Sequence, residues 1–241
     1  MSTPEDQWAR WSEWAEQGEA LFAAQLARLD DAEFDAPSLL PGWSRRHVIA
    51  HVAYNARALT RLVAWARTGE ERRMYPDTAA RDREIDAGAR SSPAELRALV
   101  LDSRRGLREA LVSLPRERRS AQVVTAQGRA IPATEILWLR TREVWVHTVD
   151  LDVGVGFTQF PDELLDALLT DITAVRESRG QEPALVLTPG DRTRCWKATA
   201  GSSRPFVLTG AMAELVAALT GRGRTGVACA GGALPELGRW L

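Results

Sequence analysis

The 241 residues contain only three histidines, so their placement carries weight. His47 and His51 lie four apart, His147 follows Glu143 by four, and Asp150 comes seven after Glu143. On a helix, residues three or four apart share a face, so each pair presents its polar atoms side by side. Leu137, Trp138, Leu139, Val144, Trp145, Val146 and Val149 surround the second pair and make its helix apolar on nearly every side. A carboxylate in such company must be paired or must coordinate a cation, because burying an isolated charge is too costly. A divalent metal between two helices would answer all these groups at once. Imidazole plus carboxylate is the donor set of zinc and of Mn, Fe and Ni sites. A plainer arrangement has Glu143 ion-paired to Arg140 or Arg142, with the histidines as hydrogen-bonded core residues. Spacing alone does not separate His47 from His51.

The elements that must position these residues read as helices through residue 150. Thr3-Pro4-Glu5-Asp6 is a start signal, with a capping hydroxyl, Pro at the first helical position and acids at the positive end of the dipole. Trp8, Trp11, Ala15, Leu21, Leu26 and Leu29 then follow a helical period. Trp8, Trp11 and Trp14 mark a face packed on the bundle, and Trp138 and Trp145 read as core. Ser44 caps a second helix that runs to about Thr68-Gly69. Residues 70–92, rich in charge and holding Pro76 and Gly88, read as a long irregular excursion. Ser92-Pro-Ala-Glu95 is a capping box opening a third helix that ends near Pro115. Thr125 to Arg129 reads as a turn or hairpin tip, and Pro132 starts a fourth helix reaching Asp150.

Beyond Gly154-Val-Gly156 the pattern changes. One amphipathic helix, 161–178, precedes short β-like runs at 184–187, 193–196 and 206–208, separated by turn signals at Pro189-Gly190 and Gly201-Ser-Ser203. A helix over 212–219 and a strand at 227–229 complete the set. The fold class is therefore α+β, four helices followed by a smaller α/β domain, with domains at 1–153 and 154–241.

Composition excludes several functions. Lys+Arg 31 against Asp+Glu 32 gives a net charge of -1, and residues 1–150 carry 22 of each sign. Neither half has the basic surplus that polyphosphate binding requires, so nucleic acid is not an expected partner. No run approaches the ~18 apolar residues of a membrane span, and Met-Ser-Thr-Pro-Glu-Asp lacks the start of a signal peptide. The expectation is a soluble, cytoplasmic protein, and nothing demands more than a monomer. Cys195 and Cys229 form no C-x-x-C motif. Both stand in small or apolar company and read as small buried hydrophobes.

Longer motifs carry a resemblance. Gly42-Trp-Ser-Arg-Arg-His-Val-Ile-Ala-His51-Val-Ala resembles the second-helix signature of the DinB-like four-helix metalloprotein superfamily, and Arg140-Thr-Arg-Glu143-Val-Trp-Val-His147-Thr-Val-Asp150 its fourth-helix signature. The whole chain resembles the mycothiol-dependent maleylpyruvate isomerase family. Tyr54-Asn55, Thr68-Gly-Glu-Glu, Met74-Tyr75, Arg81, Glu84-Ile85, Thr125 to Arg129, Gly221-Arg222-Gly223 and the terminal Arg239-Trp240-Leu241 extend that resemblance from end to end. Residues 188–204 have no clear counterpart. The resemblance implies a DinB-like four-helix bundle with His51, Glu143 and His147 as metal ligands. It leaves His47 as a neighbour and Asp150 as the acceptor that orients an imidazole. It puts the catalytic arginine at Arg222, in a C-terminal domain that contributes to the active-site cleft. Tyr54 and Asn55, one turn past His51, are candidates to line the thiol site.

The activity so implied is cis-to-trans isomerisation of maleylpyruvate to fumarylpyruvate in the gentisate branch of aromatic degradation. The implied cofactors are a divalent metal, zinc for preference, and mycothiol or another low-molecular-weight thiol. Rotation about a C=C bond requires that bond to become single, which addition of a nucleophile achieves. A free thiol with pKa ~8.5 is mostly protonated at neutral pH, and a cation that binds sulfur deprotonates it. Arg222 would offer its fork of donors to a carboxylate or a developing enolate. Two alternatives stand beside this reading: a metal-dependent mycothiol S-transferase acting on electrophiles, and a non-catalytic small-ligand carrier.

Overall fold

The structure, a computed structural model, describes residues 3–199, 204–238 and 240. The turn expected at Gly201-Ser-Ser203 and the terminal Arg239 and Leu241 lie outside the described residues. The chain divides into two compact units, Met1–Val153 and Gly154–Leu241.

In the first unit, helix α1 spans Pro4–Arg28 and begins as its sequence dictates. Thr3 accepts from the Asp6 N–H, and the Asp6 carboxylate accepts from the Thr3 N–H in return. Helix α2, Arg45–Thr68, buries Val48, Ile49, Val52, Ala53, Leu59, Leu62 and Val63. Helix α3, Thr78–Ala89, occupies the stretch read from sequence as irregular. Helix α4, Pro93–Val112, opens on the capping box of Ser92 and Glu95. Strands β1, Gln122–Val124, and β2, Ala130–Pro132, form the hairpin whose tip is Thr125 to Arg129. Helix α5, Glu135–Asp150, starts three residues past Pro132, because Pro132 is still paired with Gln122. It is buried on nearly every side, which is why its polar residues had to find partners.

Helices α1, α2, α4 and α5 make the four-helix bundle. A buried charge network ties all four together. Glu19 of α1 accepts from Arg140 of α5 at 2.9 Å and from Arg104 of α4 at 3.0 Å, and Arg140 also donates to the Val52 carbonyl of α2 at 2.8 Å. Arg140 is thus committed to Glu19, not to Glu143. Trp145 donates to the Trp14 carbonyl at 2.7 Å, so Trp14, Trp138 and Trp145 are core, while half-buried Trp11 lies tilted at 5.9 Å from Trp138.

The hidden helix α3 has a physical explanation. Asp77 caps it, accepting from the Ala80 N–H at 2.6 Å. It docks on α2 through Ile85, Gly88 and Ala89, with little large apolar surface. A Cβ at Gly88 would come within 2.6 Å of Tyr54 Cε2 and 2.9 Å of Ala50 Cβ. A contact made through a missing side chain leaves no amphipathic stripe for a periodicity reading to find.

In the second unit, helix α6, Asp162–Ser178, is followed by strands β3, Leu185–Pro189, β4, Trp196–Ala198, and β5, Phe206–Gly210. Helix α7, Met212–Leu219, and strand β6, Ala228–Cys229, complete it. The sheet order is β4-β3-β5-β6, with β3 and β5 parallel and the outer pairs antiparallel. The expected α+β class, a helical bundle followed by a smaller α/β unit, holds. The cysteines depart from expectation: Cys195 is exposed and Cys229 half-buried. Cys195 lies in the turn before β4 and Cys229 on the edge strand β6, and neither place is covered. No helix among the described residues is long and apolar enough to cross a membrane.

Candidate metal centre

The start of α2 is anchored on the end of α5. Arg45 donates to the carbonyls of Leu151 at 2.6 Å and Asp152 at 2.8 Å, and the Leu39 N–H to that of Asp150 at 3.0 Å. A cation on the free carbonyls of a helix C-terminus is a favourable pairing. It places the second turn of α2 beside the last turns of α5. The sequence reading did not single out Arg45, since nothing in its spacing betrays a partner 106 residues away.

The same turn separates the two candidate histidines. The Ser44 N–H donates to His47 Nδ1 at 3.2 Å, the Ser44 hydroxyl lies 2.9 Å from it, and the ring stacks on Trp43. His47 thus plays the part of the Glu or Gln in a capping box and is spent on the helix start. One turn on, His51 Nε2 points at α5. It lies 3.0 Å from Glu143 Oε2 and 3.1 Å from His147 Nε2, and His147 Nε2 is 3.2 Å from the same Glu143 oxygen. These three form the one group of potential metal ligands among the described residues, with no fourth His, Cys, Asp or Glu joining it. The cluster is buried but not sealed, the Glu143 side chain keeping 20% exposure. Asp150, fully buried, places Oδ2 2.8 Å from His147 Nδ1.

The three groups shift one another's protonation. Burial pushes the Glu143 carboxyl up, but the adjacent His51 and His147 overcome this and hold it well below the usual carboxylate range. Burial pulls the His147 imidazole down, and Asp150 and Glu143 outweigh that and carry it up to about 9. Burial keeps the His51 imidazole below its ordinary value despite Glu143 beside it. Although two ring nitrogens stand within 3.2 Å of it, Glu143 Oε2 makes a directed hydrogen bond with neither. Three donor atoms separated by 3.0 to 3.2 Å suit a common ion, since ligands ~2.0–2.1 Å from zinc stand about 3 Å apart. The residues present fit a divalent metal.

Other candidates fall elsewhere. Tyr54 packs against Gly88 of α3, with the Arg57 guanidinium 5.5 Å from its ring. Asn55 is buried and accepts from Arg140 at 3.2 Å, inside the bundle network. Arg222 belongs to the second unit and follows the end of α7. There Gly221 is left-handed at φ 79°, its N–H bonds the Ala218 carbonyl, and the Arg222 N–H bonds that of Ala217. This double closure of a helix end fixes the Arg222 backbone, and its guanidinium donates to the Thr220 carbonyl.

Two residues that the sequence reading did not assign to the site, Arg81 and Trp43, stand against His51. Arg81 of α3 brings Nη2 to 3.5 Å from His51 Nδ1. Trp43 sets its ring edge-on to His51 at 5.5 Å. The Tyr75 phenol, pushed up to about 12 by burial and by Glu143, remains a hydrogen-bond donor. The signal was the charged motif around Arg81, but a stretch read as loop gave it no position.

The chain is similar to known proteins along its whole length. A family model, the mycothiol maleylpyruvate isomerase N-terminal domain, matches residues 14–152, the stretch that carries every group of the triad. Two crystal structures of mycothiol-dependent maleylpyruvate isomerase, the second with one histidine changed to alanine, are similar over 100% of both chains. Each is 40% identical with a TM-score of 0.94. No curated protein sequence matches significantly. With both units matched end to end and the candidate triad lying within the matched domain, the chain belongs to the mycothiol maleylpyruvate isomerase family.

Proposed function

We propose that the chain catalyses the cis–trans isomerisation of maleylpyruvate to fumarylpyruvate with mycothiol as cofactor, and that His51, Glu143 and His147 hold a zinc ion. The observation that carries the reading is the triad itself, three donor atoms converging within 3.2 Å in a chain similar throughout its length to such an isomerase. A three-ligand set that solvent still reaches matches a catalytic rather than a structural zinc site. When bound, such an ion supplies the acidity that turns a thiol into a thiolate near neutral pH.

The chain's residues do the rest. Glu143 provides the single negative charge in the ligand set, and Asp150 fixes the ring of His147 so that Nε2 keeps its lone pair on the inner side. The helical unit contains no cysteine, so the nucleophilic sulfur of this reading comes from a separate thiol. Arg222 is assigned to a substrate carboxylate or to charge developing on the pyruvyl oxygens. No observation favours the S-transferase or carrier alternatives. We further propose that the chain works as a monomer.

The test is an absorbance assay of maleylpyruvate conversion by zinc-loaded protein, with and without mycothiol. Conversion that requires both zinc and thiol is expected, and conversion indifferent to thiol would overturn the mechanism. His51→Ala should lose the ion. A variant that still binds one equivalent as tightly as the wild type would mean the ligand set is wrong.

A further inference from the structure

The two imidazoles of the triad are supported differently. On His147 the nitrogen away from the cluster faces the Asp150 carboxylate at 2.8 Å. On His51 the corresponding nitrogen faces Arg81 Nη2 at 3.5 Å. A guanidinium carries donors only, and an imidazole that binds a cation through Nε2 carries its hydrogen on Nδ1. Two donors then confront one another, whereas a ligating histidine ordinarily gives its outer N–H to an acceptor. Among the described residues His51 Nδ1 has no carboxylate or carbonyl partner. An oxygen at the usual ~2.9 Å from each nitrogen fits across a 3.5 Å gap.

Arg81 is free to receive such a group. Its side chain is 29% exposed, and its other nitrogen pairs with Asp82, which is 58% exposed. A solvent-exposed pair of this kind is weakly held. One turn further along α3, Glu84 keeps a buried oxygen with no hydrogen-bond partner. That oxygen calls for a donor, so the anion-receiving end of this face is Arg81.

We propose that Arg81 binds a carboxylate group of the substrate beside His51, the carboxylate accepting from Arg81 Nη2 and His51 Nδ1 together. The inference deepens the isomerase reading and rests on it for the substrate class, a small oxo-dicarboxylate. Arg81 thereby selects for a carboxylate next to the ion, and the first unit alone recognises part of the substrate.

Binding of maleate, a cis-dicarboxylate without the pyruvyl group, tests this by calorimetry on the full chain loaded with zinc. Zinc content and melting temperature are measured on every variant. Arg81→Ala should bind maleate about 10- to 100-fold more weakly, the worth of a charge-assisted hydrogen bond, while keeping one equivalent of zinc. Arg81→Lys should recover part of the affinity, since it restores the charge but not the fork. No binding of maleate by the wild type, or equal affinity in wild type and Arg81→Ala, would overturn the proposal. So would loss of zinc from both variants, which would make Arg81 a support of the metal site. No turnover enters this readout. Arg81-dependent binding by a protein that does not convert maleylpyruvate would sink the isomerase reading alone. Conversion with unchanged KM in Arg81→Ala would sink this one alone.

Discussion

Asp150 has no contact with solvent, and its carboxylate holds one ring nitrogen of His147 at 2.8 Å. Asp150→Asn keeps the shape and removes the charge, so zinc affinity should fall about 10- to 100-fold, measured by competition with a chromophoric chelator. Unchanged affinity would reduce Asp150 to packing. Arg222→Ala should retain zinc yet lose at least ~10²-fold in turnover if the guanidinium stabilises charge in the transition state. Steady-state kinetics beside metal analysis separates the two effects. At this scale much was legible. Glu143 and His147 stand out by spacing and apolar company, and the motif around His51 marks its place on the second helix. The choice between His47 and His51 was not legible from spacing. It turns on a hydrogen bond from the Ser44 N–H to a ring nitrogen, which depends on where the helix begins.

Among elements, the four long helices announce themselves through caps and period, and α3 does not. Its docking through Gly88 against Tyr54 and Ala50 is a contact between backbone and side chain that hydropathy does not record. Helix α3 carries Arg81 to the triad, a contact that an irregular stretch over residues 70–92 would leave without a position. The bundle is locked by Glu19, which serves Arg104 and Arg140 from two further helices. Glu19→Ala leaves the buried Arg140 uncompensated and should cost about 3–5 kcal/mol, read from chemical denaturation. A loss under ~1 kcal/mol would show that solvent already reaches the network.

At the scale of the whole molecule, the chain comprises two compact units, and the three converging donor atoms belong to the first. Zinc at about 100 times its dissociation constant should stabilise the folded state by ~2.7 kcal/mol. Hydrogen exchange with and without zinc should show the slowing concentrated in α2 and α5, the helices that carry the proposed ligands. Slowing spread evenly over the second unit would contradict a site built from the first alone.

The amino-acid order by itself determines the class of the fold, most helix boundaries and the candidate donors. Capping, periodicity and the cost of burying charge all act over a few residues. Only the tertiary structure decided that Arg140 belongs to Glu19, and that α3 exists and brings Arg81 to His51. Each of these depends on atoms from segments far apart in sequence, and neither periodicity nor composition encodes a contact between them.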